Sequence, residues 1–223
     1  MLELLINTFV LLIVVIDPVG LVPMFAAITR GESESARRRM ALRGTTIAAI
    51  ILITFIFAGD RILRALGVSV PAFQIAGGVL LFLLAVDMVF ARHSGFRSTT
   101  EREQQEAASR KDISVFPLAF PLIAGPGALT TVLLMVNDQG DNPAFLLAGF
   151  AVLVIVLALT LTALLAAGHI MRLIGETGAN VVSRVLGVIL AALAVQYVLD
   201  GVQAGFAFIE PVPGIEAGHE VTI

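Results

Sequence analysis

Long stretches of this chain carry no charge, and that limits its folds more than any other feature. Residues 66–86 are 21 positions without Asp, Glu, Lys or Arg, residues 113–137 are 25, and residues 142–168 are 27. Residues 44–59 add a further 16, and the run extends to about Met40 where Arg43 snorkels. Residues 1–28 carry only Glu3 and Asp17, and residues 185–199 carry no charge. A helix of about 20 apolar residues crosses a hydrocarbon core of about 30 Å. Six spans are therefore expected, over roughly 2–28, 40–59, 66–90, 113–136, 143–167 and 181–208. The alternating pattern of barrel strands is missing, so the spans are expected to be helices. The fold class that follows is all-α, a polytopic membrane protein. Residues 1–16 hold no Lys or Arg and so lack the basic start of a cleaved signal, which makes the first run an expected retained span.

Composition excludes the other classes. The chain is 58% hydrophobic and 14% charged, against about 25% charged in an ordinary globular protein. A soluble fold of this size cannot hide that much apolar surface. The net charge of -3 supplies no basic face for nucleic acid. Cysteine is absent, which removes disulfides and thiolate chemistry.

The basic residues orient the chain. Arg30, Arg37, Arg38, Arg39 and Arg43 follow span 1, Arg92, Arg97, Arg102, Arg110 and Lys111 follow span 3, and Arg172 and Arg184 flank the start of span 6. Only Arg61 and Arg64 fall on the other side. Positive-inside bias makes the first group cytoplasmic and both termini external. Residues 91–112 are then a cytoplasmic linker, expected to be a solvated tether of mixed charge. Residues 209–223 are an external tail with Glu210, Glu216 and Glu220.

The chain also repeats. Arg64-Ala-Leu-Gly67 matches Arg172-Leu-Ile-Gly175, Gly78 matches Gly187, and Leu84-Ala-Val-Asp87 matches Leu193-Ala-Val-Gln196, all at an offset of 108 or 109. The same offset carries Pro18 to Pro126. Each copy holds three spans, residues 1–90 and 113–208. An odd number forces the second copy into the membrane from the opposite side. Two inverted three-helix repeats are therefore expected, an arrangement typical of secondary transporters with a site at the repeat interface.

Spans 1 and 4 carry breakers inside their apolar runs. Span 1 has Asp17-Pro18-Val-Gly20-Leu-Val-Pro23, and span 4 has Pro117-Leu-Ala-Phe-Pro121-Leu-Ile-Ala-Gly125-Pro126-Gly127. Proline removes a backbone donor and glycine permits unusual dihedrals. Both helices are expected to be interrupted there, around Gly20 and around Gly125–Gly127. Freed backbone groups cost several kcal/mol each in hydrocarbon unless something satisfies them. Helices restarting at such breaks aim amide groups at the midplane, where a carboxylate is a natural guest. Proline kinks packed against neighbours are the plainer alternative.

These motifs resemble the MarC family of bacterial inner-membrane proteins, some of which are described as neutral amino-acid transporters. The resemblance rests on Asp17-Pro-Val-Gly-Leu-Val-Pro-Met-Phe25, Ile75-Ala-Gly-Gly78, Pro117-Leu-Ala-Phe-Pro-Leu-Ile-Ala-Gly-Pro-Gly127 and Arg184-Val-Leu-Gly187. It runs from span 1 to about Gly201. It implies six spans, a place in the inner membrane, and transport of small neutral amino acids. Export of other small molecules and a non-transporting partner role stay open.

The expected substrate-binding residues are Asp17, Pro18, Gly20, Pro23, Gly125, Pro126, Gly127 and Thr130. Asp17 can bind a substrate ammonium or couple transport to H+ or Na+, or it can cap the helix after the break. Asp87 is a second coupling candidate, or snorkels. Gln74 and Gln196 can line a site or bond helix to helix. Thr130 and Thr131 can meet a substrate carboxylate or bond back to their own helix. His93, His169 and His219 lie at span ends or in the tail, so no metal site is expected. No Walker motif and no paired nucleophile and base occur within the spans, so neither ATP use nor catalysis is expected. No cofactor is expected beyond a coupling ion.

Overall fold

A computed structural model describes residues 2–90, 112–137 and 143–207, and every element among them is helical. The first apolar run forms α1 (Leu2–Ile16) and α2 (Pro18–Ile28). Then follow α3 (Glu34–Ala65), α4 (Val70–Phe90), a π-helical segment π1 (Ser114–Ile123), α5 (Pro126–Asn137), α6 (Pro143–Leu165) and α7 (Ala167–Ala207). Five helices are long and apolar enough to cross a membrane, and the pair of π1 and α5, bent by 55°, makes a sixth span if counted as one. The expected linker, apart from Asp112, and the expected tail lie outside the described residues, as do His93 and His219.

Local chemistry explains each start and stop. Ser33 caps α3 by accepting from the Ala36 amide, and Glu34 in the first turn complements the helix dipole. Helix α3 ends in a turn at Gly67, where φ is 71° and the Val68 amide bonds back to the Leu63 carbonyl. In the second half of the chain Gly175 has φ 63° and interrupts α7 at the corresponding point. A side chain would be strained at both positions. Asp112 holds the entry to π1: its carboxylate accepts from the Ser114 amide at 3.0 Å and from the Ser114 hydroxyl, and it pairs with Arg43 on α3 at 3.0 Å. These bonds, those of Ser114 first, hold the Asp112 carboxyl below its ordinary pKa.

The first interruption is smaller than the sequence suggests. Unwinding around Gly20 is not what the structure has: Gly20 and Pro23 both lie within α2. The departure is confined to Asp17, whose φ of 49° and ψ of 68° are left-handed. The ladder closes around it, with the Asp17 amide on the Ile13 carbonyl at 3.0 Å and the Leu21 amide on the Asp17 carbonyl at 3.1 Å. Pro18 does not break a helix because it begins one, at the position where a missing N–H costs nothing.

The second interruption is larger. Phe116 and Phe120 have extended dihedrals inside π1, because each precedes a proline that crowds it out of the helical region. The Ala124 amide bonds to the Ala119 carbonyl at 2.9 Å, a π-type closure, and regular helix resumes only at Pro126.

Helix α4 packs most extensively on α7. The two run antiparallel, since Gly78 faces Ala194 and Tyr197 while Gly187 faces Ala85 and Met88. A Cβ on Gly78 would sit 2.8 Å from the Ala194 carbonyl oxygen, and one on Gly187 would sit 2.9 Å from the Met88 Cβ. Small residues permit this approach, as is usual where helices meet in lipid. Around this pair, α3 packs on π1 and α6 on α1, α2 packs on α7 and α5 on α4, α3 packs on α5 and α6 on α2, and α3 meets α6. Leu12, Ile16, Leu21, Phe25, Leu52, Leu118, Ile123, Leu133 and Leu153 fill the fully buried centre.

The Gly78→Val variant should disrupt this seam, because the new side chain meets backbone, which cannot rotate away. Overpacking costs about 1–3 kcal/mol in ordinary cores. A lowered thermal transition in detergent, or loss of a monodisperse peak, is the expected result. Alanine at Gly205 on α7, whose new Cβ would come only within 4.0 Å of the Pro71 side chain, should retain the monodisperse peak.

Candidate functional site

Asp17 is completely buried, and its Oδ1 accepts from the Gly20 amide at 2.9 Å. That is an N-cap bond, made on the third residue of α2. Aspartate is one of the few non-glycine residues that tolerate the left-handed region, so one residue supplies both the turn and the cap. Of the roles open to Asp17, capping is the one its geometry displays.

The second break is built differently. Gly125 stands where Asp17 stands in the first half, before Pro126 rather than Pro18. The Leu129 amide bonds to the Gly125 carbonyl at 3.0 Å, just as the Leu21 amide bonds to Asp17. Gly125 has no side chain with which to cap. A cavity of about 180 Å³ lies against this helix start, lined by Pro121, Gly125, Pro126, Gly127 and Ala128, with Val15 and Leu81 opposite. A Cβ on Gly127 would collide with the Leu81 side chain and sit 3.1 Å from Val15.

The eight expected binding residues do not share one cavity. Gly125, Pro126 and Gly127 come together at the second break. Asp17, Pro18 and Gly20 do not line that cavity. Pro23 instead lines one of about 340 Å³ at the far end of α2, with Thr29, Arg30 and Arg37. Thr130 is fully buried, packs against Gly77 on α4, and bonds to the Pro126 carbonyl at 2.9 Å. Thr131 bonds to the Gly127 carbonyl at 2.9 Å. Both hydroxyls thus bond back to carbonyls of the first turn of α5. Asp87 is half-buried near the end of α4.

Sequence reasoning misses most of a third cavity, of about 440 Å³, at the end of the bundle opposite the Arg30–Arg43 cluster. Its polar lining is Asn7, Thr8, Gln74, Thr131, Gln196, Tyr197 and Asp200. Thr131 Oγ1 and the Tyr197 hydroxyl lie 3.0 Å apart, and Gln196 Nε2 donates to Asp200 Oδ1 at 2.6 Å. The sequence points to Gln74, Thr131 and Gln196 one at a time and does not join them. The available signal is the recurrence of polar residues in otherwise apolar spans, including the chain's single tyrosine.

A multi-spanning, apolar, all-helical bundle with polar groups gathered in a cavity at one end defines a class: an integral membrane protein. Residues 2–206 match the model of the MarC family integral membrane proteins. The chain belongs to that family. A UPF0056 membrane protein of Archaeoglobus fulgidus is 37% identical over 194 residues, 87% of this chain and 90% of that one. The Escherichia coli UPF0056 inner membrane protein YhgN is 34% identical over 200 residues, covering 89% and 95% of the two chains. The UPF0056 membrane protein YhcE of the same species is 34% identical over 199 residues, covering 89% and 91%. No solved structure matches the chain.

Asp17→Ala should lower thermal stability by about 1 kcal/mol or more, since it removes the cap and leaves alanine in a left-handed conformation. Asp17→Asn should unfold close to the wild type, because asparagine caps as well and tolerates the same dihedrals. Equal melting of both variants and the wild type would remove the capping role.

Proposed function

We propose that the protein is a secondary transporter of small neutral amino acids in the inner membrane. The polar cavity of Asn7, Thr8, Gln74, Thr131, Gln196, Tyr197 and Asp200 carries this reading. Polar groups are costly at membrane depth unless they serve a solute or each other, and here they gather around open space. Asp200 offers an acceptor for an ammonium, and hydroxyl and amide groups offer donors for a carboxylate. The first turn of α5 at the second break supplies further amides on the way inward. Coupling to H+ or Na+ is assigned to the buried Asp17, with Asp87 as the second candidate.

An inverted pair of three-helix halves, residues 1–90 and 113–208, supports the same reading. Exchange α1 with π1, α2 with α5, α3 with α6 and α4 with α7, and each of the main helix contacts turns into another of them. The smaller contacts of α1 with α5, α1 with α7 and α6 with α7 have no counterpart of matching extent among the described residues. The cavities obey the exchange in part. Pro23, Ala26, Ala27 and Arg37 line one, and Thr131, Leu134, Met135 and Phe145, each 108 positions later, line the other at the opposite end of the bundle. Two vestibules at matching repeat positions suit alternating access, in which the halves trade conformations. By the arginine distribution, the Arg37 cavity faces the cytoplasm and both termini lie outside.

Uptake of labelled glycine or alanine into proteoliposomes, with and without a Na+ or pH gradient, tests the function. Wild-type protein should accumulate substrate. Asp200→Asn should raise KM about tenfold through loss of a charge-assisted hydrogen bond. Gly127→Val should abolish transport, and Asp17→Asn should exchange substrate without gradient-driven accumulation. Wild-type protein that neither accumulates nor exchanges either amino acid would defeat the proposal.

Topology has its own readout. A reporter fused at Ser98 should read cytoplasmic, and one at Glu216 should read external. The reverse result would overturn the orientation.

A further inference from the structure

A cavity of about 530 Å³ lies between the C-terminal end of α2, the first turns of α3, the end of α6 and the start of α7. Arg37, Arg38 and Arg172 line it together with His169, against a single carboxylate, Glu34. Glu34 lies in the first turn of α3, where the helix dipole already favours it. None of the three arginines takes part in an ion pair or a side-chain hydrogen bond among the described residues. Three guanidinium groups around one space repel one another unless an anion joins them. Their planar donor forks match phosphate oxygens.

The remaining walls are apolar. Phe25 and Leu164 are each 1% exposed, while Leu165 is 45% exposed and faces outward from the bundle. The cavity is thus cationic on one side and hydrocarbon-like on the other. It sits where the spans end: α2 stops at Ile28, α6 stops at Leu165 and α3 starts at Glu34. Gly168 leaves the space open, since a Cβ there would approach only Arg37 Nη1, at 4.0 Å.

We propose that this cavity binds a phosphate ester through Arg37, Arg38 and Arg172. The chemistry fits the headgroup of an anionic phospholipid, whose glycerol and upper acyl atoms would rest on the outward-facing Leu165. It equally fits a soluble phosphate ester of the cytosol. The site is independent of what the protein transports, although Arg37 and Gly168 also border the neighbouring Pro23 cavity.

The full chain, reconstituted in nanodiscs of phosphatidylcholine with a graded fraction of phosphatidylglycerol, tests the lipid source by native mass spectrometry of retained lipid. Glycerol 3-phosphate added to lipid-free protein in detergent, read by thermal shift, tests the soluble source. The double variant Arg37→Gln/Arg172→Gln should weaken binding about 25-fold, since each basic residue near anionic lipid is worth about fivefold. Gly168→Leu keeps every charge, adds a better helix former, and should block the cavity to a similar degree. It decides the matter if the double variant does not fold. Arg61→Gln, which removes one positive charge on the opposite side, should bind within about twofold of the wild type. Retention of lipid alone assigns the headgroup, and a shift with glycerol 3-phosphate assigns the soluble ester. Equal binding by the wild type, the double variant and Gly168→Leu in both arms would overturn the site, as would an equal loss in Arg61→Gln.

Discussion

The close antiparallel contact of α4 with α7 is the interaction on which the remaining packing depends. It joins the two halves of the chain along their third spans, and it is possible only because glycines stand where larger residues would hold the helices apart. Gly78 abuts the segment that contains Gln196, and Gly187 abuts the segment that contains Asp87. Gln196 is the repeat partner of Asp87, and Gly187 is the repeat partner of Gly78. The contact therefore reads the same from either side, as an isologous interface does. In a membrane, where apolar surface gains little by leaving lipid for protein, such shape-fitted contacts carry much of the association.

Backbone satisfaction sets the second constraint. Any carbonyl or amide released within the hydrocarbon needs a partner. The first break meets this demand by being small. Asp17 turns one residue out of the helix and supplies the acceptor for the Gly20 amide. The second break meets it with π-type closure before the bend, where the Ala124 amide reaches the Ala119 carbonyl. Proline at the first helical position serves both.

The spans were legible in the sequence because membrane crossing depends on length and charge alone. Gly67 and Gly175 were legible only as matching positions of the two halves; that each turns the chain with a positive φ, a conformation side chains resist, appears only in the fold. The site was legible only in pieces. Pro18-Val-Gly20-Leu-Val-Pro23 reads as a helix breaker, yet its first proline starts a helix, and nothing in the local pattern separates starting from breaking. Asp17 carried the decisive information, as an N-cap immediately before that proline. The polar cavity was hidden because its residues are scattered along the chain. Asn7, Gln74, Gln196 and Asp200 sit on three helices, and only tertiary packing brings them to one space. Thr130 and Thr131 are neighbours in sequence but point to different places, one at Gly77 and one at Tyr197.

The two breaks share a backbone plan and differ in chemistry at a single position. An aspartate before Pro18 closes the first helix start upon itself. A glycine before Pro126 leaves the second start without a side-chain cap and beside open volume. The same contrast separates the vestibules. Arg37 lines the one beside α2, where Phe145, its repeat counterpart, lines the one beside α5. Two halves with corresponding helix contacts would by themselves present similar surfaces at both ends of the bundle. Different residues at the matching positions set the chemistry of each end: Arg30 and Arg37 stand against Glu32 in the cavity beside α2, and Asp200 is the one charged group lining the cavity beside α5.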